Sequence, residues 1–228
     1  MVKLLREYIR RVLLTEAAMG PADLTNDMRV VIEDRSGNEF VVRLVGGDPS
    51  RGSDEYILGN VTADKGSVEY LCAGAFIVSW SGVEESGWGP LLYDVAMEYA
   101  TSKGSGLMAS RTAVSSEAFN VWQYYADQRE DVEKVQMDDA EDNLTPGVAA
   151  DNCGQRLVYK GQHTGERWKG FDVSDEPWDP RGKEVLLNDP LSKMYRSKGT
   201  PKMKQLKDLD KLSTWRTEND RRVETKMK

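Results

Sequence analysis

Apolar residues recur at helical spacing over residues 2–18. Leu4, Leu5, Tyr8, Ile9, Val12 and Leu13 share one side, with Arg6, Arg10 and Arg11 elsewhere on the cylinder. Gly20-Pro21 stops the pattern. The segment reads as an amphipathic helix that docks on its own domain or on another protein, followed by a linker at 23–27. Residues 28–33 are apolar and β-branched, 34–38 (Asp-Arg-Ser-Gly-Asn) make a turn, and 39–45 alternate polar with apolar. Together they predict a hairpin. A Gly/Pro/Ser loop at 46–53 separates it from two further strands, 56–62 and 67–80, joined by a turn at 63–66. Residues 70–80 are almost all apolar or small, as in a strand covered on both faces.

The period then changes. Residues 81–89 form a glycine-rich loop. Residues 90–101 carry Leu91, Leu92, Val95 and Tyr99 on one side of a helix, with Pro90 suited to its first turn. A short strand at 107–111 follows. Ser115 is placed to cap a helix running to about residue 128, with Ala118, Val121, Trp122 and Tyr125 on one face. Residues 132–137 read as a strand. The order is four strands, helix, strand, helix, strand. Beyond it lie an acidic connector at 138–154, one more strand at 155–160, and a loop at 161–182. Residues 190–212 read as helical in pieces, broken near 199–201.

Composition narrows the class. With 39% hydrophobic residues, six Trp and nine Tyr, the 228-residue chain has the material for a core. No uncharged apolar run approaches the length of about 18 residues that a membrane-spanning helix needs. The charges in 2–18 interrupt the apolar run of a signal peptide. Two cysteines, Cys72 and Cys153, make no disulfide framework and suit a reducing, cytoplasmic setting. A single histidine, His163, excludes zinc sites built on two histidines. The acids Asp138, Asp139, Glu141 and Asp142 lack EF-hand spacing and read as a linker, so no metal is expected. Cys153 and His163 lack the local motif of a nucleophile–base pair.

The net charge of −7 is unevenly distributed. Residues 193–228 hold twelve Lys/Arg against five Asp/Glu, and 127–151 hold nine acids against two bases. A basic tail of this kind binds an acidic partner, or lies on the chain's own acids. It lacks interleaved aromatics, so nucleic acid is not the expected partner.

The unit that carries chemistry is the strand ending near Trp80, the loop Ser81-Gly82-Val83-Glu84-Glu85-Ser86-Gly87-Trp88-Gly89 and the helix from Pro90. A glycine-rich turn entering a helix presents backbone N–H groups and the positive end of the helix dipole, which together bind phosphate oxygens. It is neither a P-loop nor a dinucleotide fingerprint, because Leu92 stands where a third glycine would fall. Over residues 28–137 the chain resembles the GNAT superfamily of acyl-CoA-dependent N-acyltransferases. Members carry Gln/Arg-x-x-Gly-x-Gly/Ala between a central strand and a helix, where this chain has Glu84-Glu85-Ser86-Gly87-Trp88-Gly89. Ser115 to Tyr125 is similar to the family's Asn-x-x-Ala-x-x-Leu-Tyr helix. The stretches GWGPLLYDVAMEYA and SRTAVSSEAFNVWQYY are similar to acetyltransferases of tailed phages.

The resemblance implies a mixed α/β fold, a GNAT-like central mixed sheet with flanking helices, extended by the N-terminal amphipathic helix and a C-terminal arm. The division would be 1–27 helix and linker, 28–160 acyltransferase domain and 161–228 basic extension. It implies acetyl-CoA as co-substrate and an amine acceptor: a protein lysine, an N-terminus or a small amine. The loop would hold the pyrophosphate, and the preceding strand would splay from its neighbour to admit the pantetheine. Ile77, Ser79, Glu84, Ser86, Gly87, Trp88, Gly89, Ser115 and Trp122 would line the cofactor. Backbone N–H groups near Ile77 and Ser79 would meet the oxyanion, Tyr125 or Tyr124 would protonate the thiolate, and Glu69 or Glu55 would border the acceptor. The chain departs from the pattern at Glu84 (usually Gln or Arg), at Ser115 (usually Asn) and at Trp122 (usually Tyr). The alternative is a non-catalytic structural or virion-associated protein on the same scaffold, with helix 2–18 and the C-terminal arm as partner-binding segments.

Overall fold

The computed structural model describes residues 18–47, 54–65, 74–110, 114–137 and 188–215. All but the last residue of the expected helix 2–18, together with Glu69, Cys72, the connector, the expected strand 155–160, His163 and the residues from 216 onward, lie outside them.

Four strands open the fold as an antiparallel meander: β1 (Arg29–Arg35), β2 (Glu39–Gly46), β3 (Tyr56–Asp64) and β4 (Phe76–Val83). The β1–β2 turn holds Ser36 and Gly37 at φ 68° and 72°, and the Asp34 carboxylate accepts the Gly37 N–H at 2.9 Å. Helix α1 (Gly89–Lys103) crosses over to β5 (Leu107–Met108), which runs parallel to β4. Helix α2 (Ser116–Gln128) leads to β6 (Val132–Gln136). The chain continues in β7 (Lys193–Ser197), the short helix α3 (Pro201–Asp208) and β8 (Leu212–Trp215), and the sheet is mixed, with strand order β6-β7-β5-β4-β3-β2-β1-β8.

Val30, Ile32, Phe40, Val42, Leu44 and Val61 face α1, whose residues 91–100 are all buried. That explains its weak amphipathicity: α1 packs against β2, β3, β7, α2 and α3, and has no solvent face along its middle. Phe40 stands edge-on to Phe76 at 4.9 Å and to Tyr99 at 5.0 Å, closing the core beneath the meander.

Three expectations are corrected. Residues 190–212 are not helical pieces throughout. They form β7 (Lys193–Ser197), the short helix α3 (Pro201–Asp208) and β8 (Leu212–Trp215). β7 inserts between β5 and β6, and β8 adds to β1 in parallel, so part of the expected C-terminal extension belongs to the sheet. The cause is tertiary: Met194 and Tyr195 are core residues, and β8 is paired with the other end of the chain. The strand expected at 67–80 continues through Val83, because Ser81, Gly82 and Val83 pair with β3. The strand expected at 107–111 pairs only over Leu107 and Met108.

Helix α3 starts without a cap from its own side chains. The buried Glu98 carboxylate of α1 instead accepts the N–H groups of Lys202 and Met203, each at 2.8 Å. Burial, the largest influence, holds Glu98 above the usual carboxylate range despite these two bonds.

Candidate functional site at the open edge of β4

β4 has two different edges. On one side it pairs with β3 along its length. On the other, only Phe76 and Ile77 pair with β5, and among the described residues Val78 to Val83 have no strand neighbour there. Because β4 and β5 are parallel, the chain leaves both at the same end of the sheet. The N-termini of α1 and α2 therefore both follow the carboxyl ends of a parallel pair, in which β4 runs on past the end of β5. In open α/β sheets that crevice is where ligands bind.

The β3–β4 register slips once, from Ala63↔Val78 to Thr62↔Trp80, which leaves Ser79 as the extra residue of a β-bulge. Ser79 is exposed, and its hydroxyl lies 3.4 Å from the Thr62 carbonyl. Ile77, half-buried, packs with Met108 and Met194. Further along the open half, Ser81 Oγ accepts a 2.9 Å bond from the Tyr93 hydroxyl of α1. Burial raises the Tyr93 pKa.

The loop begins at Glu84, whose N–H still bonds the Leu58 carbonyl at 2.8 Å. Glu84, Glu85 and Ser86 are exposed. Gly87 takes φ 101°, a conformation glycine adopts without strain, and its carbonyl accepts the Met19 N–H at 3.0 Å. Trp88 precedes the first helical residue with no side-chain cap. Its ring is buried at 2% exposure, and its indole Nε1 has no hydrogen-bond partner. At Gly89 an added Cβ would meet no atom within 4 Å. The helix start is thus uncapped and open at Gly89, while the unpartnered indole N–H lies buried. The two exposed glutamates oppose an anion there.

On α2, the Ser115 hydroxyl accepts the Ala118 N–H at 3.2 Å, the capping role expected of it. Trp122 is buried, edge-on to Tyr93 at 5.4 Å and 5.3 Å from the Tyr195 ring. Tyr125 lies in a closed network. Its hydroxyl donates to Asp94 at 2.7 Å, and Arg129 binds both Asp94 oxygens at 2.9 and 3.1 Å and also pairs with Asp131. At 1% exposure, burial first and the Asp94 charge second push the phenol well above its usual pKa. Tyr124 is half-buried, with the Arg129 guanidinium 5.9 Å from its ring. Glu55 is salt-bridged to Arg29.

Ile77, Ser79, Glu84, Ser86, Gly87, Trp88 and Gly89 thus follow one another along a strand edge and its loop, and Trp122 reaches the same region through Tyr93. Tyr125 is turned to Asp94 instead. Ser81 and Tyr93 were missed by sequence reasoning. Ser81 fell in the expected loop, and Tyr93 was one more aromatic in an apolar helix. Among the described residues no cluster of His, Cys, Asp and Glu is placed to hold a metal ion, and no helix is long and apolar enough to cross a membrane. Compared with known proteins, the chain matches no family model, no curated protein and no solved structure.

Proposed function

We propose that the chain is an acyl-CoA-dependent N-acyltransferase of the GNAT type, with acetyl-CoA as co-substrate and an amine as acceptor. The observation that carries this reading is the open half of β4. A strand that loses its β5-side neighbour from Val78 onward, bulged at Ser79 and leading into an uncapped helix start, has the shape the family uses for a pantetheine arm and its pyrophosphate. The order of four strands, helix, strand, helix, strand supports it.

In this reading the pyrophosphate sits against the backbone of residues 86–89, and the thioester lies beside Ser79. The deprotonated amine attacks the thioester carbonyl; the C–N bond forms and the C–S bond breaks. The N–H at the bulge stabilises the oxyanion. The amine, with an ordinary lysine pKa of about 10.4, must first lose a proton, and the departing thiolate must gain one. Tyr125 does not serve as that acid, because its proton is held by Asp94 in the core. The Ser81–Tyr93 hydroxyl pair on the open half of β4 takes the role.

A second reading, a non-catalytic scaffold, is favoured by one observation: Glu84 is exposed where the family has Gln or Arg, with Glu85 exposed beside it as a second negative charge. A thermal unfolding series with acetyl-CoA, CoA and ADP separates the two. Saturation at a hundred times the dissociation constant stabilises by roughly 2.7 kcal/mol. The enzyme reading expects such a shift, abolished by Gly89→Leu. Its absence at millimolar acetyl-CoA leaves the scaffold.

A further inference from the structure

Strand alternation sorts the open half of β4 onto two faces. Ser81 and Val83 turn to the helix side, where Ser81 meets Tyr93 and Val83 stands against Gly59. Trp80, Gly82 and Glu84 fall on the other face. Trp80 is 55% exposed, more than any other large apolar side chain among the described residues. Its six-membered ring fills the space that a side chain on Gly82 would need, so the ring runs along the strand toward Glu84. Glu84 extends the ladder, since its N–H bonds the Leu58 carbonyl, and it is exposed. Opposite Gly82, Asn60 adds a buried side-chain carbonyl without a hydrogen-bond partner. Among the described residues, cations sit over the rings of Phe76, Tyr99, Tyr124 and Tyr125; Trp80, the ring type that attracts cations best, has none. The surroundings carry one sign of charge. Residues 54–64 and 74–102, which supply β3, β4, the loop and nearly all of α1, hold seven acids and no Lys, Arg or His. Glu55 is held by Arg29 and Asp94 by Arg129. Glu84 and Glu85 have no ion-pair partner among the described residues. Arg43, across the ladder from Asn60, is paired with Glu33.

We propose that Trp80 and Glu84 form a binding site for an organic cation on an alkyl arm, as carried by a lysine side chain or a free polyamine. A cation over the indole is attracted by the ring quadrupole while it pairs with the carboxylate, and the field of the surrounding acids draws it from solution. An anion in the same place meets Glu84 and Glu85 and no free positive charge. A purely apolar partner would bury the Glu84 carboxylate unpaired, which is unfavourable. The site stands whether or not the crevice takes acyl-CoA. Where it does, an ammonium held here lies one residue from Ser79, beside the thioester, and is the acceptor.

Proton–nitrogen NMR of the full-length chain at low salt tests this. The probes are spermidine and the peptide acetyl-Ser-Lys-Ser-amide, with the same peptide acetylated on its lysine as the neutral control. The Trp80 indole N–H, identified by its loss in Trp80→Ala, and the amides of Gly82 and Glu84 should shift saturably with at least one of the two cations and stay in place with the control. The tighter cation names the source. Trp80→Ala, followed at the Gly82 and Glu84 amides, should weaken binding roughly threefold to tenfold. Glu84→Gln with Glu85→Gln should weaken it about two- to fivefold, and by less at high salt. The amides of Val30 and Val42 report folding in the same spectra. If Trp80→Ala displaces them, Glu84→Lys carries the test and should abolish binding. No shift at millimolar cation overturns the proposal. So do shifts that the neutral peptide reproduces, and shifts that keep full affinity in Trp80→Ala, which are those of cations gathering on any acidic surface.

Discussion

Helices α1 and α3 begin in opposite ways. The start of α3 is closed: Glu98 reaches across from α1 and satisfies two backbone N–H groups in the core. The start of α1 is bare: Trp88 supplies no cap, its own indole N–H is unpaired, and Gly89 faces open space. A helix start left unsatisfied forgoes about 1 kcal/mol of capping energy. The same chain spends a buried carboxylate to avoid that loss at α3. The contrast separates a helix start closed by a buried carboxylate from one left without a side-chain cap.

The sharpest way to break the contrast is at Glu98. Glu98→Ala removes the cap and opens a hole, and should cost about 3 kcal/mol in urea unfolding. Glu98→Gln, which keeps one acceptor, should cost about 1 kcal/mol. Because the folded-state pKa of Glu98 is raised, its contribution is complete below the ordinary glutamate range and is lost as pH rises through the raised pKa. The unfolding free energy should fall over that window in the native chain, and Glu98→Gln should remove its share of the slope. Next in size is Tyr125→Phe, which deletes one bond to Asp94 while Arg129 keeps the carboxylate paired. A loss of about 1–2 kcal/mol in stability, with acetyl transfer per folded molecule unchanged, is expected. A loss of turnover would restore Tyr125 as the acid. At α1, Gly89→Leu should leave stability within about 1 kcal/mol, since the position is open and leucine is a good helix former, yet abolish stabilisation by acetyl-CoA. The smallest effect is at the loop acids. Glu84→Gln with Glu85→Gln should tighten acetyl-CoA binding by about two- to fivefold at low salt, with less gain at high salt.

The sequence made the first half of the sheet readable because its signals are local. Asp34, Ser36 and Gly37 specify a turn, Pro90 marks a helix start, and Ser115 caps a helix at the expected place. Mixed α/β architecture followed from those signals. β7 and β8 were illegible because they depend on distant partners. Lys-Met-Tyr-Arg-Ser has no alternation of its own, and becomes a strand only where β5 and β6 offer their edges. Glu98 looked like a polar position within a helix, and only the docking of α3 turns it into a buried cap. In the candidate site, the glycine loop was legible from spacing. The bulge at Ser79, the open half of β4 and the Ser81–Tyr93 bond exist only in the folded arrangement.

The most direct test of the account is the footprint of acetyl-CoA in hydrogen exchange. The account predicts saturable protection confined to residues 78–92, with ADP reproducing only the part at 84–92, and Gly89→Leu erasing both. Saturating acetyl-CoA that leaves those amides unchanged, while the protein remains folded, would contradict it.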